Sequence, residues 1–400
     1  MRSRFLPDKL FPNSNVGAVV IGGDYQGLGI VRSLGRHGVP ICVIDDEHSI
    51  ARFSKYTTHF VSVSDLRDER RAVEALLEMG QRLKLNGWVL FPTRDETVAA
   101  ISIHRSELEQ IYRVPTPPWS TVQWAWDKRQ TYCKARELGI PTPRSWAAKD
   151  FVEARGLDLT FPVAVKPAIK ERFFYATRAK AWRANNWAEL EDLFERAVRL
   201  VGSSEVILQD LIPGDGRHQF AFCTFFKGGR SVGSMVVRRT RQHPPEFGRA
   251  STYVESTSSE LLESLSERFL RAIDYYGLAE LEFKLDPRDG EYKLLDVNAR
   301  TWGYHSLGYR AGVDFPYLLF SDQLQSATKQ GRGQSGISWI RFLTDLPTAL
   351  SQICSGTLTL IEYLRTLRNA DVEAVFSRED PLPGLAELIL LPYLAVKRGF

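Results

Sequence analysis

The chain has 400 residues, of which 44% are hydrophobic and 25% charged. This composition is that of ordinary globular proteins, so a disordered, collagen-like or coiled-coil chain is excluded. Lys plus Arg number 52 and Asp plus Glu 48, and the net charge of +4 predicts neither a nucleic-acid nor a membrane partner. The length suits two or three domains.

The four cysteines lie far apart and form neither a C-x-x-C zinc motif nor a disulfide framework. No apolar stretch reaches the ~18–20 residues of a spanning helix. The first fifteen residues read as a loose tail without the apolar run of a signal peptide. We therefore expect a cytoplasmic protein.

Residues 16–115 alternate between short apolar strands and helices. Such alternation predicts an α/β unit with a parallel sheet, a Rossmann-like domain. The strands are predicted at 17–21, 41–44, 60–63 and 88–91, and the helices at 30–37 and 67–84.

A glycine-rich segment, residues 22–29, follows the first strand and reads G-G-x-x-x-G-x-G. It matches neither the dinucleotide pattern G-x-G-x-x-G nor a P-loop, which argues against an NAD-dependent oxidoreductase. Two interpretations stay open: tight turns that pack a helix on the sheet, and a turn that faces another ligand. Asp45 similarly either contacts a ribose or simply ends a strand.

The rigid Pro115-Thr-Pro-Pro118 marks a boundary, and residues 116–325 form a second region. Its predicted helices are 120–138, 187–200 and 259–276. Its predicted strands are 161–167, 206–209, 219–227 and 231–239, followed by a hairpin around Asp286-Pro-Arg-Asp-Gly290. Residues 326–400 are expected to form a partly helical C-terminal extension.

The hairpin carries the most informative polar pattern. Glu282 shares one strand face with Glu280 and Lys284, and Asp296 shares a face with Asn298. A five-residue loop places Glu282 opposite Asp296, an arrangement of like charges that a cation would stabilise. Carboxylate and amide oxygens suit Mg²⁺. A solvated face with scattered charge is the alternative interpretation.

The hairpin, with Asp296-x-Asn298 and Arg300, resembles the metal motif of ATP-grasp ligases. The resemblance extends over about residues 16–325 and includes Lys128 at a helix start, Lys166 on a strand, and the segment 208–215. Within that family, the chain most resembles the group of predicted ATP-grasp enzymes that are similar to carboxylate–amine ligases. It implies an N-terminal Rossmann-like domain (16–115), a two-lobed ATP-grasp domain (116–325) and an extension (326–400).

The resemblance also implies roles for individual residues. Lys128 and Lys166 would contact the α- and β-phosphates of ATP, and Glu282, Asp296 and Asn298 would bind Mg²⁺, with Mn²⁺ as the alternative ion. Arg300 would stabilise the transferred phosphoryl group, with Lys166 assisting. The adenine and ribose contacts would come from the hinge residues Gln209, Asp210, Leu211, Ile212 and Asp215.

The implied activity is ligation of a small-molecule carboxylate to an amine through an acyl phosphate, with release of ADP and phosphate. Arg238, Arg239 and Arg241 belong to an arginine-rich loop that also includes Arg249, and we expect them to bind the triphosphate or an acidic substrate. A solvated basic loop is the alternative. No nucleic-acid partner is expected.

The sequence departs from the family pattern in two places. The second metal ligand is usually Glu and is here Asp296. The segment after Lys166, usually a Gly-rich phosphate loop, contains no glycine between residues 167 and 180. A non-catalytic ATP-binding sensor or assembly protein is therefore the alternative function. Homodimer formation and a peripheral membrane contact through the apolar residues 385–398 stay open.

Overall fold

The computed structural model describes residues 16–398, except residues 246, 249 and 327–329. The expected tail at residues 1–15 lies outside the described residues, and so does Arg249 of the arginine-rich loop. Residues 327–329 of the expected C-terminal extension also lie outside them.

The strands of the described chain follow the predicted order but are more numerous. In sequence they are β1 (Ala18–Ile21), β2 (Ile41–Asp45), β3 (His59–Ser62), β4 (Val89–Pro92), β5 (Ser145–Trp146), β6 (Val163–Pro167), β7 (Trp182–Ala184), β8 (Val206–Asp210), β9 (Gln219–Lys227), β10 (Arg230–His243), β11 (Ala250–Thr257), β12 (Gly277–Leu285), β13 (Tyr292–Asn298), β14 (Gly331–Arg332), β15 (Ser338–Ile340) and β16 (Val372–Glu373).

The helices of the described chain connect these strands and fill its C-terminal part. They are α1 (Tyr25–Arg36), α2 (Glu69–Arg82), α3 (Asp95–Ile103), α4 (Arg105–Leu108), α5 (Trp119–Trp126), α6 (Lys128–Glu137), α7 (Phe151–Arg155), α8 (Lys170–Thr177), α9 (Trp187–Val201), α10 (Glu260–Ala272), α11 (Ser306–Ala311), α12 (Phe315–Gln323), α13 (Phe342–Cys354), α14 (Leu360–Asn369), α15 (Leu382–Ile389) and α16 (Leu391–Arg398).

The N-terminal unit is a parallel sheet with the strand order β3-β2-β1-β4, which confirms the predicted α/β class. Its strands are apolar because helices cover the sheet, and every residue of β1 is fully buried. From β1 the chain adds β2 and β3 on one side of the sheet and then crosses to add β4 on the other side. At such a change of side the carboxyl ends of the strands frame a crevice in which ligands bind. Asp95 begins α3 immediately after β4, at this edge.

The glycine-rich segment is only partly a turn. Helix α1 begins at Tyr25 rather than at Ile30, capped by Asp24, so Gly27 and Gly29 lie inside the helix. A Cβ at Gly27 would lie 2.1 Å from the carbonyl oxygen of Gly22, and one at Gly29 would lie 2.7 Å from the ring of His305. Close backbone and ring contacts therefore explain these glycines, which favours the packing interpretation.

Asp45 ends β2 and has structural partners. Its carboxylate accepts a 2.7 Å hydrogen bond from the backbone N–H of Gly23 and pairs at 2.7 Å with Arg94. The residue is 1% exposed. The strand-end interpretation of Asp45 thus has direct support in its contacts.

The second region is built from two sheets. The small sheet is antiparallel, and the large sheet is mixed because β14 pairs with β10, and β16 with β15, in parallel. The small sheet has the order β5-β8-β6-β7, and α9 packs on it through Leu190 and Phe194. The large sheet has the order β13-β12-β9-β10-β11-β15-β16, with β14 beside β10. The predicted helix over 120–138 is wrong as a single element: it is divided into α5 and α6 at Asp127, whose extended backbone and side chain cap α6.

The residues after 325 do not stand apart from the large sheet. β14, β15 and β16 extend it, and helices α13 to α16 complete the partly helical segment. The buried ion pair between Arg32 and Asp380, at 3.0 Å, attaches this segment to the N-terminal unit, and the pair between Arg341 and Glu387, at 2.6 Å, joins two parts of the segment itself. Because the large sheet crosses residue 325, the boundaries 16–115, 116–325 and 326–400 stay predictions.

Helix α15 exposes an apolar face formed by Leu382, Leu385, Leu388 and Ile389, the last at 80%. Its opposite face is docked on the protein through the buried Ala386 and Glu387. Across the described residues we find no helix with the length and apolarity needed to cross a bilayer. The peripheral membrane contact expected for residues 385–398 stays a prediction.

Candidate active site

Lys128 is placed by the break between α5 and α6. As the first residue of α6 it directs its ammonium group to the Oδ1 atom of Asp296 on β13, at 2.7 Å. Its backbone N–H donates to the carbonyl oxygen of Ala168, just after β6. Burial opposes the charge of Lys128, but the attraction of Asp296 outweighs it and raises the pKa of the amine. The lysine therefore stays a cation in the cleft.

Lys166 on β6 is almost fully buried, at 8% exposure. Its ammonium group donates to the phenol oxygen of Tyr132 at 2.6 Å and to the Oε1 atom of Gln209 at 2.8 Å. The two predicted cofactor-binding residues Lys166 and Gln209 are thus neighbours, as their strands β6 and β8 are paired. Gln209 is held in turn by a 2.8 Å hydrogen bond from its Nε2 atom to the hydroxyl of Ser145.

The metal hairpin, formed by β12 and β13 with the predicted ligands, has the predicted pairing of Glu282 with Asp296 but not the predicted five-residue loop: Leu285 pairs with Tyr292, and a β-bulge between Phe283 and Glu282 shifts the register. Glu282 lies opposite Asp296 and Glu280 lies opposite Asn298 in the β12–β13 ladder. The Nδ2 atom of Asn298 donates to Glu280 Oε2 at 2.9 Å and to Glu282 Oε1 at 3.0 Å. The amide thus connects two carboxylates across the hairpin.

Cations from other elements balance these carboxylates. The guanidinium of Arg239 on β10 bonds Glu282, and Lys128 bonds Asp296. Burial alone would raise the pKa of Glu282, but Arg239 and Lys180 outweigh it and lower the pKa to about 2. Glu280 lacks so close a cation: burial and the neighbouring charge of Glu282 raise its pKa to about 7. The two glutamates of one strand face therefore differ in charge near neutral pH.

The donor set fits a hard divalent cation. Glu282 and Asp296 are directly opposed and require positive charge between or beside them, which Arg239 and Lys128 supply in this structure. Oxygen donors from two carboxylates and one amide leave room for water and phosphate ligands, the coordination that Mg²⁺ favours. Among the described residues, no cluster of three or more His, Cys, Asp or Glu side chains is arranged for a metal ion.

The hinge residues lie at the end of β8, where the chain leaves the small sheet for the large one. Asp210 donates its backbone N–H to Arg144 and pairs its carboxylate with Arg144 Nε at 2.7 Å. Lys284 on β12 donates to the carbonyl oxygens of Ile212 and Gly214, each at 2.8 Å. Leu211 lies between these contacts. Asp215 begins a short 3₁₀ turn, is exposed, and bonds Arg217.

The structure separates the three arginines expected in a substrate site. Arg239 reaches the metal hairpin and donates to Ser251 at 2.7 Å. Arg238 is exposed and pairs with Glu255 at 3.3 Å. Arg241 pairs through two hydrogen bonds, at 2.9 and 2.8 Å, with Asp345 of α13. Only Arg239 contacts the predicted metal ligands.

Asp95 is a site residue that the sequence analysis missed. Its carboxylate contacts Arg300, the predicted catalytic arginine, and also the ammonium group of Lys170 on α8. Asp95 and Lys170 line a narrow cleft together with Lys128, Asp296 and Asn298, against the apolar Val122 and Trp126. The available signal was the position of Asp95 directly after a parallel strand.

The segment after Lys166 forms a helix instead of a loop. Helix α8 covers residues 170–177, and Tyr175 on it bonds Glu96 of α3. Burial and the nearby acids Asp95 and Glu96 raise the pKa of Glu171 to about 7, although Lys170 opposes this. Lys170, the first residue of this helix, is already paired with Asp95.

No family model matches the sequence. The chain is 26% identical over 297 residues, 70% of each protein, to a D-aspartate ligase from Enterococcus faecium (strain Aus0004). The fold is similar to an L-amino acid ligase from Bacillus licheniformis, with a TM-score of 0.60, 18% identity, and coverage of 79% of this chain and 76% of that one.

A third relative is a biotin carboxylase domain dimer of Hydrogenobacter thermophilus 2-oxoglutarate carboxylase, solved with MgADP, ADP and bicarbonate. Its TM-score is 0.65 at 16% identity, over 82% of this chain and 74% of that one. The chain is thus similar in sequence to a D-aspartate ligase and shares the fold of these ATP-grasp structures.

Proposed function

We propose that the protein joins a carboxylic acid to an amine, driven by cleavage of ATP to ADP and phosphate. One observation carries this proposal: Lys128 bonds Asp296 of the hairpin, and Lys166 is linked through Tyr132 to Leu295, the residue before Asp296. Positive side chains facing paired carboxylates form a cleft suited to a polyphosphate and its metal ion.

The nucleotide contacts are assigned as follows. Lys128 and Lys166 bind the α- and β-phosphates. The carbonyl oxygen of Asp210 and the N–H of Ile212 are proposed to read the adenine edge beside Gln209. Leu211 and Ile212 follow the end of β8 and have left the strand ladder. Asp215 binds the ribose; its exposed carboxylate lies beyond the hinge.

Glu282, Asp296 and Asn298 are proposed to hold Mg²⁺, with Mn²⁺ as the alternative ion. When bound, Mg²⁺ would offset the negative charge of the phosphates and orient them. Arg239 now neutralises Glu282, so metal binding requires this arginine to turn toward another anion. The phosphates and the substrate carboxylate are such anions.

The chemistry has two steps. A carboxylate oxygen of the acid attacks the γ-phosphorus, and the bond to the β-phosphate oxygen breaks, which gives an acyl phosphate and ADP. The neutral amine then attacks the acyl carbon; a C–N bond forms, phosphate leaves, and the amine loses a proton. Arg300 and Lys166 stabilise the negative charge on the transferred phosphoryl group. Arg239 is proposed to hold the acid. Arg238 and Arg241, predicted for the same role, pair with Glu255 and Asp345 instead.

We propose that at least one substrate is an amino acid. The support is the name of the curated relative, a D-aspartate ligase, and of the neighbouring L-amino acid ligase. The second candidate function, a non-catalytic ATP-binding protein, is favoured by one observation: a helix replaces the expected phosphate loop after Lys166.

We further propose the domain division 16–115, 116–325 and 326–400, a cytoplasmic location, and a homodimer. The dimer is supported by the biotin carboxylase neighbour, whose structure is that of a domain dimer.

The deciding experiment measures ADP release with ATP and Mg²⁺ over a matrix of amino acids and amines, with D-aspartate among the acids. The Glu282→Gln/Asn298→Ala double variant serves as the blank. Release that requires an acid and an amine together, and that disappears in the blank, supports the ligase. Tight Mg²⁺-dependent ATP binding without release over the whole matrix supports the non-catalytic alternative.

A further inference from the structure

Tyr132 lies where the small sheet, helix α6 and the metal hairpin meet. It is on the same helix face as Lys128, one turn later, and is 2% exposed. Its phenol oxygen is 2.8 Å from the carbonyl oxygen of Leu295, the residue before Asp296. The same oxygen is 2.6 Å from the ammonium nitrogen of Lys166.

The direction of these hydrogen bonds follows from the groups themselves. A carbonyl oxygen can only accept, so the single O–H of Tyr132 donates to Leu295. An ammonium group can only donate, so the phenol oxygen accepts from Lys166 through a lone pair. The tyrosine thus connects the strand that carries the phosphate-binding lysine to the strand that carries the metal-binding aspartate.

The lysine has three N–H donors, and the described protein uses two of them. One points to Tyr132 and one to Oε1 of Gln209, at 2.8 Å. Two fixed acceptors hold the end of a side chain that would otherwise sample many rotamers. These two hydrogen bonds fix the rotation of the ammonium group and so the direction of its third N–H. That third N–H is available for an anion.

We propose that Tyr132 is a positioning residue for nucleotide binding: its hydroxyl orients the Lys166 ammonium toward the phosphates and fixes its distance from the metal hairpin. The inference rests on the proposed function, because it requires a phosphate at Lys166. Tyr132 itself touches no phosphate, so its whole effect passes through the lysine.

The test is a double-mutant cycle on MgATP affinity, measured by calorimetry. Tyr132→Phe removes one oxygen and keeps the ring, whose centroid is 5.0 Å from the ammonium group. Lys166→Met keeps the apolar stem and removes the charge. We expect Y132F to weaken MgATP binding about tenfold, as for loss of one hydrogen bond to a charged group. In the K166M background the same change should have no effect.

Adenosine supplies a second measurement that a merely structural role would not change. It lacks phosphates, so its affinity should be the same in wild type and Y132F. Tyr112→Phe is the matched control, because Tyr112 is 3% exposed and donates a 2.7 Å hydrogen bond to a carbonyl oxygen, that of Leu76, away from the cleft. Urea unfolding of both variants measures the loss of stability that the two changes share.

The results separate the two proposals. Wild-type affinity for MgATP in Y132F would overturn the positioning role alone, as would a tenfold loss that persists in the K166M background. An equal loss in Y112F would assign the effect to stability and also overturn it. Failure of the wild type to bind MgATP would remove the proposed function, and the role of Tyr132 with it.

Discussion

Asp95 and Arg300 form a two-point ion pair between the N-terminal unit and the end of the metal hairpin. Arg300 Nε lies 2.5 Å from Oδ1, and Nη2 lies 3.0 Å from Oδ2. The same carboxylate bonds Lys170, so one acid joins three parts of the chain around the cleft. A planar guanidinium held at two points has a fixed orientation, which a catalytic arginine requires.

Asp95→Asn is expected to destabilise the protein by about 3 kcal/mol at pH 7, since it leaves two partly buried cations without their acid. Burial would raise the pKa of Asp95, but Arg300 and Lys170 outweigh it and lower the pKa. A depressed pKa contributes stability above the ordinary carboxyl range and loses it as the pH falls. Urea unfolding should therefore show that the difference in unfolding free energy between wild type and Asp95→Asn becomes smaller below about pH 4.

The control for this change is Asp46→Asn. Asp46 pairs with Arg94 of the same unit and does not contact Arg300. The kcat of the ligase reaction should fall further in Asp95→Asn than in this control, because only Asp95 holds the guanidinium of Arg300. Equal losses of kcat in the two variants would show that Asp95 has no special relation to Arg300.

Asp345→Asn is expected to cost about 3 kcal/mol, because Arg241 and Asp345 are 4% and 0% exposed and the change leaves a buried arginine unpaired. Chemical denaturation at pH 7 measures the loss. Glu255→Gln, which breaks the exposed pair with Arg238, serves as the comparison and should cost less than about 1 kcal/mol. Equal losses in the two variants would contradict the structural role assigned to the buried pair.

Glu280→Gln should change how stability depends on pH. The pKa of Glu280 is raised from 4.5 to about 7, so the folded protein keeps this proton where the unfolded chain releases it. Its contribution to stability is complete below about pH 4.5 and falls as the pH rises to 7. The free energy of unfolding of E280Q relative to wild type is expected to increase by roughly 3 kcal/mol from pH 4.5 to pH 8. A constant difference in unfolding free energy between E280Q and wild type across that pH range would disprove the raised pKa of Glu280.

ATP affinity is expected to depend on Mg²⁺ through Asp296. Calorimetry with and without excess EDTA should show at least a tenfold loss of wild-type affinity when the metal is removed, because the phosphates then face Glu282 and Asp296 without a bridging cation. Asp296→Asn should lose most of this dependence. Asp289→Asn, which removes a carboxylate from the exposed turn of the same hairpin, should retain it. Metal-independent binding by the wild type would argue against the proposed ligand set.

The sequence by itself determined the local elements that carry the site. Alternation along 277–298 placed Glu282 on one face with Glu280, and Asp296 on one face with Asn298, because side chains repeat every two residues in a strand. The β-bulge that brings Glu282 opposite Asp296 was not predictable from this alternation. The parallel sheet was equally predictable from buried strands separated by helices. The start of α1 was not, since Gly27 and Gly29 meet backbone and side chains from distant parts of the chain.

Only the tertiary structure decided which charges meet. Arg239 and Arg241 lie two residues apart in one strand, yet one pairs with Glu282 and the other with Asp345, 43 and 104 residues away along the chain. Asp95, Arg300 and Lys170 come from three separate elements. Periodicity fixes the face on which a side chain lies, but the partner on that face depends on how sheets and helices pack, which no local pattern encodes.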